Sequence, residues 1–371
     1  MRTGRLSVAS LYIGGFLGPF AGGVPAAMLP ELSADFHVSL SAASASLTAY
    51  LLPLAALMLF SGTLGERWGR ARSIRIAYLV YLASSVVCAT AEEYPLFLAG
   101  RMVQGCANAF TMPLLLAAIG SVTPQQRLGR ALGLYGSMQA AGQSFAPFLG
   151  GLAAELSWRL AFAAVAAAAV GLAAIRLPGP AEIRAGEPPR LRTAWRPDVL
   201  RIALVALVAW ASLGGLAFLV ATRYDEAFGL GAGARGLVLT GFGVAGLLSA
   251  RLIGGAVDRV GARRCVLLGG VTGALAIGLF GVTPWLVLAI VLWTLAGVSS
   301  QLVLVGLNAL TLGGERANRG GAVSVVQAFR FLGAAGSPVA FLPVYHLHPV
   351  AGFLVPALLL MLVSLFRCYN P

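Results

Sequence analysis

Three arginines, Arg101, Arg251 and Arg330, stand well inside long apolar stretches. A guanidinium in such surroundings needs an anion, a cavity or a set of oxygen acceptors, because an isolated charge is costly to remove from water. Arg101, Gln104 and Asn108 recur at i, i+3 and i+7, so a helix would present them on one face. Gln139 and Gln143 are i, i+4; Gln301 and Asn308 are i, i+7; Gln327 and Arg330 are i, i+3. Amides and guanidinia on apolar faces suit recognition of a small polar or anionic molecule, not bond making. No nucleophile–base pair, metal-ligand cluster or phosphate loop accompanies them, so no enzyme, cofactor or metal is expected. All 13 acidic residues fall between apolar stretches or at their ends. A mid-stretch carboxylate, which would attract cations and carry a proton, is missing.

The elements that hold these residues are apolar and long. Of 371 residues, 58% are hydrophobic and 11% charged, whereas soluble domains carry roughly 25% charged residues. Twelve apolar stretches fall near 7–29, 42–61, 74–91, 95–119, 129–152, 159–177, 199–221, 233–255, 265–283, 285–309, 320–343 and 349–367. Their lengths fit membrane-spanning helices, in which glycine and proline are tolerated. The first stretch is read as helix one and not as a cleaved leader. The proline- and arginine-rich segment 178–198 divides the chain into halves, 1–177 and 199–371. All 26 basic residues are arginine; twenty fall at the termini and in alternate loops, and three on the opposite side. By the positive-inside rule, both termini are expected in the cytoplasm. The same placement explains the net charge of +13 without nucleic acid. The four cysteines are scattered and read as packing residues.

The segment GTLGERWGRARSIR, 62–75, has a cousin in GGAVDRVGARRCVL from 254. Glu66-Arg67-x-Gly69 returns as Asp258-Arg259-x-Gly261, 192 residues later. RLGRALGLYGS from 127 returns as RANRGGAVSVV from 316, an offset of 189. Six spans per half is even, so the halves share an orientation and form a parallel repeat. Glycines let helices turn tightly and approach closely, and an acid can cap a helix or pair with arginine, which makes a breakable latch.

Gly62, Glu66, Arg67, Gly69 and Arg70 resemble the signature between helices two and three of the major facilitator superfamily, with Glu66 where Asp is usual. The resemblance implies that this knot, with Asp258, Arg259 and Gly261, latches the halves on the cytoplasmic side. Arg101-x-x-Gln104-Gly105 is similar to the family's intramembrane pattern in proton-coupled exporters. Gly142, Ala146, Pro147, Gly150 and Gly151 resemble the antiporter motif of drug and metabolite exporters, with Ala146 where Gly is usual, and Trp158-Arg159 follows as is common there.

The resemblance covers the whole chain. It implies an all-α membrane protein of twelve transmembrane helices in two parallel six-helix repeats. It also implies a path lined by Arg101, Gln104, Asn108, Tyr135, Gln139, Gln143, Gln301, Asn308, Gln327, Phe329 and Arg330, with Trp210 a further aromatic candidate. Arg330 stands out because it lies about 16 Å along its span at 1.5 Å per residue. The expected function is proton-coupled efflux of small amphiphiles by alternating access, neutral or anionic because acids are absent mid-span. Glu31, Asp35, Glu66 and Asp258 are the available proton carriers. The expected partners are a small-molecule substrate, protons and the lipid bilayer. The expected form is a monomer in a bacterial inner membrane. A proton-linked importer of a small organic anion is the alternative, and a non-transporting receptor or assembly factor a further one.

Overall fold

The computed structural model describes residues 5–175, 177, 190–230, 232–313 and 318–369, and among them every regular element is helical. Arg2, Arg176, Arg184 and Arg316 of the charge pattern lie outside the described residues. The α-helices are α1 (Arg5–Gly23), α2 (Leu29–Asp35), α3 (Leu40–Trp68), α4 (Arg70–Thr90), α5 (Tyr94–Val122), α6 (Leu128–Ala154) and α7 (Arg159–Ala174). They continue with α8 (Pro197–Ser212), α9 (Ala217–Glu226), α10 (Ala232–Val260), α11 (Ala262–Val282), α12 (Leu286–Gly313), α13 (Arg319–Leu347) and α14 (Ala351–Tyr369). Helices are the form in which so apolar a chain satisfies its backbone within each segment.

Among the described residues, nine helical stretches are long and apolar enough to cross a membrane. α7 and α14 contribute shorter apolar helices. α6 is 27 residues long, but Gln139, Gln143, serines and glycines lower its apolarity. Such a helix suits burial against protein more than against lipid.

Two compact units divide the chain. Unit 1 comprises Met1–Thr123, Met138–Ala194 and Glu315–Ser324. Its centre is α5, whose buried face runs from Phe97 to Gly120 and is packed by α1, α3 and α4, with α7 against α4. Unit 2 comprises Pro124–Ser137, Trp195–Gly314 and Val325–Pro371. Its centre is α12, packed by α8, α10 and α11, with α14 against α11. The same packing scheme therefore recurs in each. The first turns of α6 belong to unit 2 and the first turns of α13 to unit 1.

The structure departs from the sequence expectation in two places. The stretch 7–29 is not one helix: α1 stops at Gly23, a 3-10 turn covers Val24–Ala27, and α2 restarts at Leu29. The stretch 199–221 breaks similarly at Leu213, with a 3-10 turn over Gly214–Leu216 before α9. Second, the Glu66 and Asp258 motifs are not loops but the last turns of α3 and α10. One glycine joins each to the next helix: Gly69 at φ 94° and Gly261 at φ 96°. A side chain is disfavoured in that left-handed region, which explains the glycine at the same place in both repeats.

Candidate functional site

Unit 1 uses its buried polar face on its own backbone. The break after Gly23 leaves the last carbonyls of α1 without helical donors. Arg101, fully buried on α5, supplies them: Nη1 donates to Ala21 O at 2.9 Å and Nη2 to Gly22 O at 3.3 Å. Nε donates to Ser46 O at 3.3 Å, and Nη1 also to Gln104 Oε1 at 2.7 Å. The guanidinium lies 4.6 Å from the Tyr50 ring centroid. Gln104 Nε2 donates to Ser85 Oγ at 2.8 Å, and Tyr50 OH donates to Gly18 O at 2.9 Å. Asn108 Oδ1 accepts from Thr111 Oγ1 at 2.9 Å. Arg101, Gln104 and Asn108 share a face as their spacing indicates, and that face holds α1, α3 and α4 together.

On α6, Gln139 is buried with neither amide atom partnered, whereas Gln143 is exposed. Gly142 lies against Phe16 O, and a Cβ on Gly150 would stand 2.8 Å from Val24 O. A Cβ on Gly23 would stand 3.0 Å from that of Ala146. The small residues of the antiporter-like motif therefore seat α6 on α1 and on its break. The side chain of Pro147 lies outside the described residues. At α2, Asp35 Oδ2 accepts from Trp158 Nε1 and Arg159 Nη2, each at 3.0 Å.

The acids of the repeated motif, Glu66 and Asp258, cap helix N-termini. In unit 1, Glu66 Oε1 accepts from Gly320 N, at the start of α13, at 3.1 Å. It also accepts from Arg70 Nε at 3.0 Å and Nη2 at 2.5 Å, while Arg70 Nη1 donates to Ala117 O at 3.1 Å and Ser121 Oγ at 3.0 Å. Gly62 packs against the Gly320 backbone, which leaves no room for a side chain. In unit 2, Asp258 Oδ1 accepts from Gly129 N at 2.6 Å and Oδ2 from Arg130 N at 3.0 Å, at the start of α6. A carboxylate at a helix N-terminus satisfies orphan N–H groups and the positive end of the dipole. Arg67 and Arg259 are exposed.

Sequence reasoning missed the receiving residues, Gly320, Asn318 and Gly129. Asn318 Nδ2 donates to Thr63 Oγ1 at 3.1 Å and to Thr193 Oγ1 at 2.9 Å. The signal was present: the repeated runs from 127 and 316 are the capped helix starts themselves.

Unit 2 holds a different polar group. Arg330 is partly exposed and lies 4.9 Å from the Trp210 ring centroid and 4.7 Å from that of Phe331. Its Nε is buried without a hydrogen-bond partner, and no described residue accepts from its other nitrogens. Tyr135 on α6 lies within its electrostatic reach. Gln327 Nε2 donates to Asn308 Oδ1 at 3.0 Å, which leaves Gln327 Oε1 buried and unpartnered. Gln301 Oε1 is also buried and unpartnered; it faces Gly136, where a Cβ would come within 3.2 Å. The structure thus joins Gln301, Asn308, Gln327, Arg330 and Tyr135 within one unit. Phe329 turns aside to Trp195, at 6.4 Å between ring centroids.

A family model for the Major Facilitator Superfamily matches residues 11–231. The chain belongs to that superfamily, whose members are transporters and not enzymes. It is 28% identical over 224 residues to the drug efflux pump JefA of Mycobacterium tuberculosis, across 60% of this chain and 42% of the pump. It is 27% identical over 143 residues to the riboflavin transporter RibZ of Clostridioides difficile, across 38% of this chain and 31% of that protein. The chain therefore matches less than half the length of these curated relatives. Its fold matches that of the human organic anion transporter MFSD10 with a TM-score of 0.77, at 18% identity, over 98% of this chain and 99% of the other.

Proposed function

We propose that this protein is a secondary exporter of small amphiphiles, anionic or neutral, working by alternating access. The observation that carries the reading is Arg330: a guanidinium over two aromatic rings with its buried Nε unpartnered, three residues along its helix from the unpartnered Gln327 oxygen. An unpaired cation in an apolar surround attracts anions and repels lipophilic cations. Export is supported by likeness to a drug efflux pump and by the small-residue seam of α6 on α1.

In this reading twelve spanning helices form two parallel repeats, 1–177 and 199–371, joined by 178–198, with both termini cytoplasmic. The protein works as a monomer in a bacterial inner membrane. The Glu66 and Asp258 caps are cytoplasmic latches that open when the site faces inward. Protons drive the cycle through acids already engaged in bonds. Neutralising Asp258 or Glu66 would weaken a helix cap, and neutralising Asp35 would release Arg159. Inward transport of a small organic anion is the second reading, because Arg330 would serve an importer equally well.

The test is thermal stabilisation of purified protein in detergent by aromatic acids, neutral amphiphiles and lipophilic cations, for wild type and Arg330→Gln. Acids or neutral compounds should stabilise the wild type, and the acid effect should vanish in the variant. Stabilisation by cations alone would overturn the reading.

A further inference from the structure

We infer that the unit 2 site selects monoanionic carboxylates carrying an N–H donor close to the carboxyl group, as in N-acyl amino acids; this rests on the transport reading above. The Arg330 guanidinium carbon lies over the rings of Trp210 and Phe331, 4.9 and 4.7 Å from their centroids. The rings engage the positive charge but offer no oxygen to its N–H groups, which suit the paired oxygens of a carboxylate. Among the described residues no carboxylate pairs with Arg330. Asp198 pairs with Arg196, Glu226 accepts from Tyr345 OH, and Asp258 caps α6. One free guanidinium, with no second cation described beside it, fits a single negative charge.

The amides supply the other half. Gln327 commits its NH2 group to Asn308, so the carbonyl oxygen is its free end. Gln301 likewise keeps a buried free oxygen, held in place between Gly136 and Gly246. An unanswered acceptor on Gln327 beside an unanswered cation, with a second on Gln301 in the same unit, asks for a ligand with both an anion and a donor. Gln327 and Arg330 are three residues apart on α13, so their Cβ atoms are about 5–6 Å apart. That spacing sets carboxylate and donor a few bonds from each other, the relation of an α-N–H to its carboxyl group. A site built to bond a donor discriminates strongly against an analogue lacking it, because its own acceptors are then left unpaired.

The experiment uses the full-length protein in detergent and three probes: N-benzoylglycine, its N-methyl analogue and its methyl ester. Kd is measured by isothermal titration for wild type, Arg330→Gln, Gln327→Leu and Gln301→Leu, with melting temperature as the folding control. The wild type should bind N-benzoylglycine about tenfold or more tightly than the N-methyl analogue, and should not bind the ester. Gln327→Leu, or Gln301→Leu if the first variant melts early, should erase the preference for N–H over N-methyl while acid binding remains. Arg330→Gln should lose the preference for acid over ester. Equal binding of N-benzoylglycine and its N-methyl analogue overturns this inference alone and leaves the anion site standing. Binding of the ester in preference to the acid, or of no acid in the series, overturns the inference; lipophilic cations binding in their place overturns the proposed function too.

Discussion

Arg101→Met tests whether the arginine of α5 is a ligand group or a brace. The wild-type guanidinium makes four hydrogen bonds, two of them short at 2.7 and 2.9 Å and two long at 3.3 Å. Side-chain hydrogen bonds inside membrane bundles average about 0.6 kcal/mol, with a maximum near 1.7. Four average bonds give about 2 kcal/mol, and two at the upper value raise the sum to about 4–5 kcal/mol. The methionine returns part of this, because no cation remains to be buried. The expected net loss is about 2–4 kcal/mol, or roughly 3–5 °C in melting temperature for a chain of this size. Hydrogen exchange should quicken over residues 19–27, where the α1 carbonyls lose their cap. Arg101→Lys should recover little, because one ammonium cannot reach carbonyls of α1 and α3 together. An unchanged melting temperature and unchanged exchange, with binding or transport lost, would refute the reasoning and return Arg101 to the substrate or proton path.

Other consequences follow from the same geometry. Gly69→Ala should cost about 1–2 kcal/mol, because alanine is strained at φ 94°; a melting temperature equal to wild type would contradict it. Gly142→Val should push α6 off the Phe16 backbone, with a loss of about 1–3 kcal/mol from overpacking. Its thermal scan should then fall below that of Gly171→Val, whose site has open space. Asp258→Ala should remove the α6 cap at about 0.5–2 kcal/mol. Spin labels at exposed Arg127 and Arg259 should then report a shift to longer distances, and an unchanged distribution would count against the latch.

The fold class was legible because composition and arginine placement act over whole segments. The repeated motif was legible because glycine at positive φ and an acid one turn earlier are local requirements, met at 66–69 and 258–261. The helix breaks were not. Pro53, Pro113 and Pro356 sit inside continuous helices, so Pro25 at the break of α1 gives no distinguishing signal. Nor could the sequence separate Arg101 from Arg330, each three residues from a glutamine in an apolar stretch. The difference lies in backbone oxygens 55 to 80 positions away, which answer Arg101 and leave Arg330 open. Gln139 and Gln143 share a helical spacing yet differ in burial, which depends on the seating of α1.

The most direct test of the account is transport in proteoliposomes under an imposed pH gradient. Labelled aromatic acids and tetraphenylphosphonium would be followed in parallel for wild type and Arg330→Gln. The account predicts that an acid moves with the wild type and that the variant, equal in melting temperature, loses this movement by about tenfold or more, as expected for one charge-assisted contact of about 1.5–3 kcal/mol. Movement of the cation, or acid transport indifferent to Arg330→Gln, would contradict it.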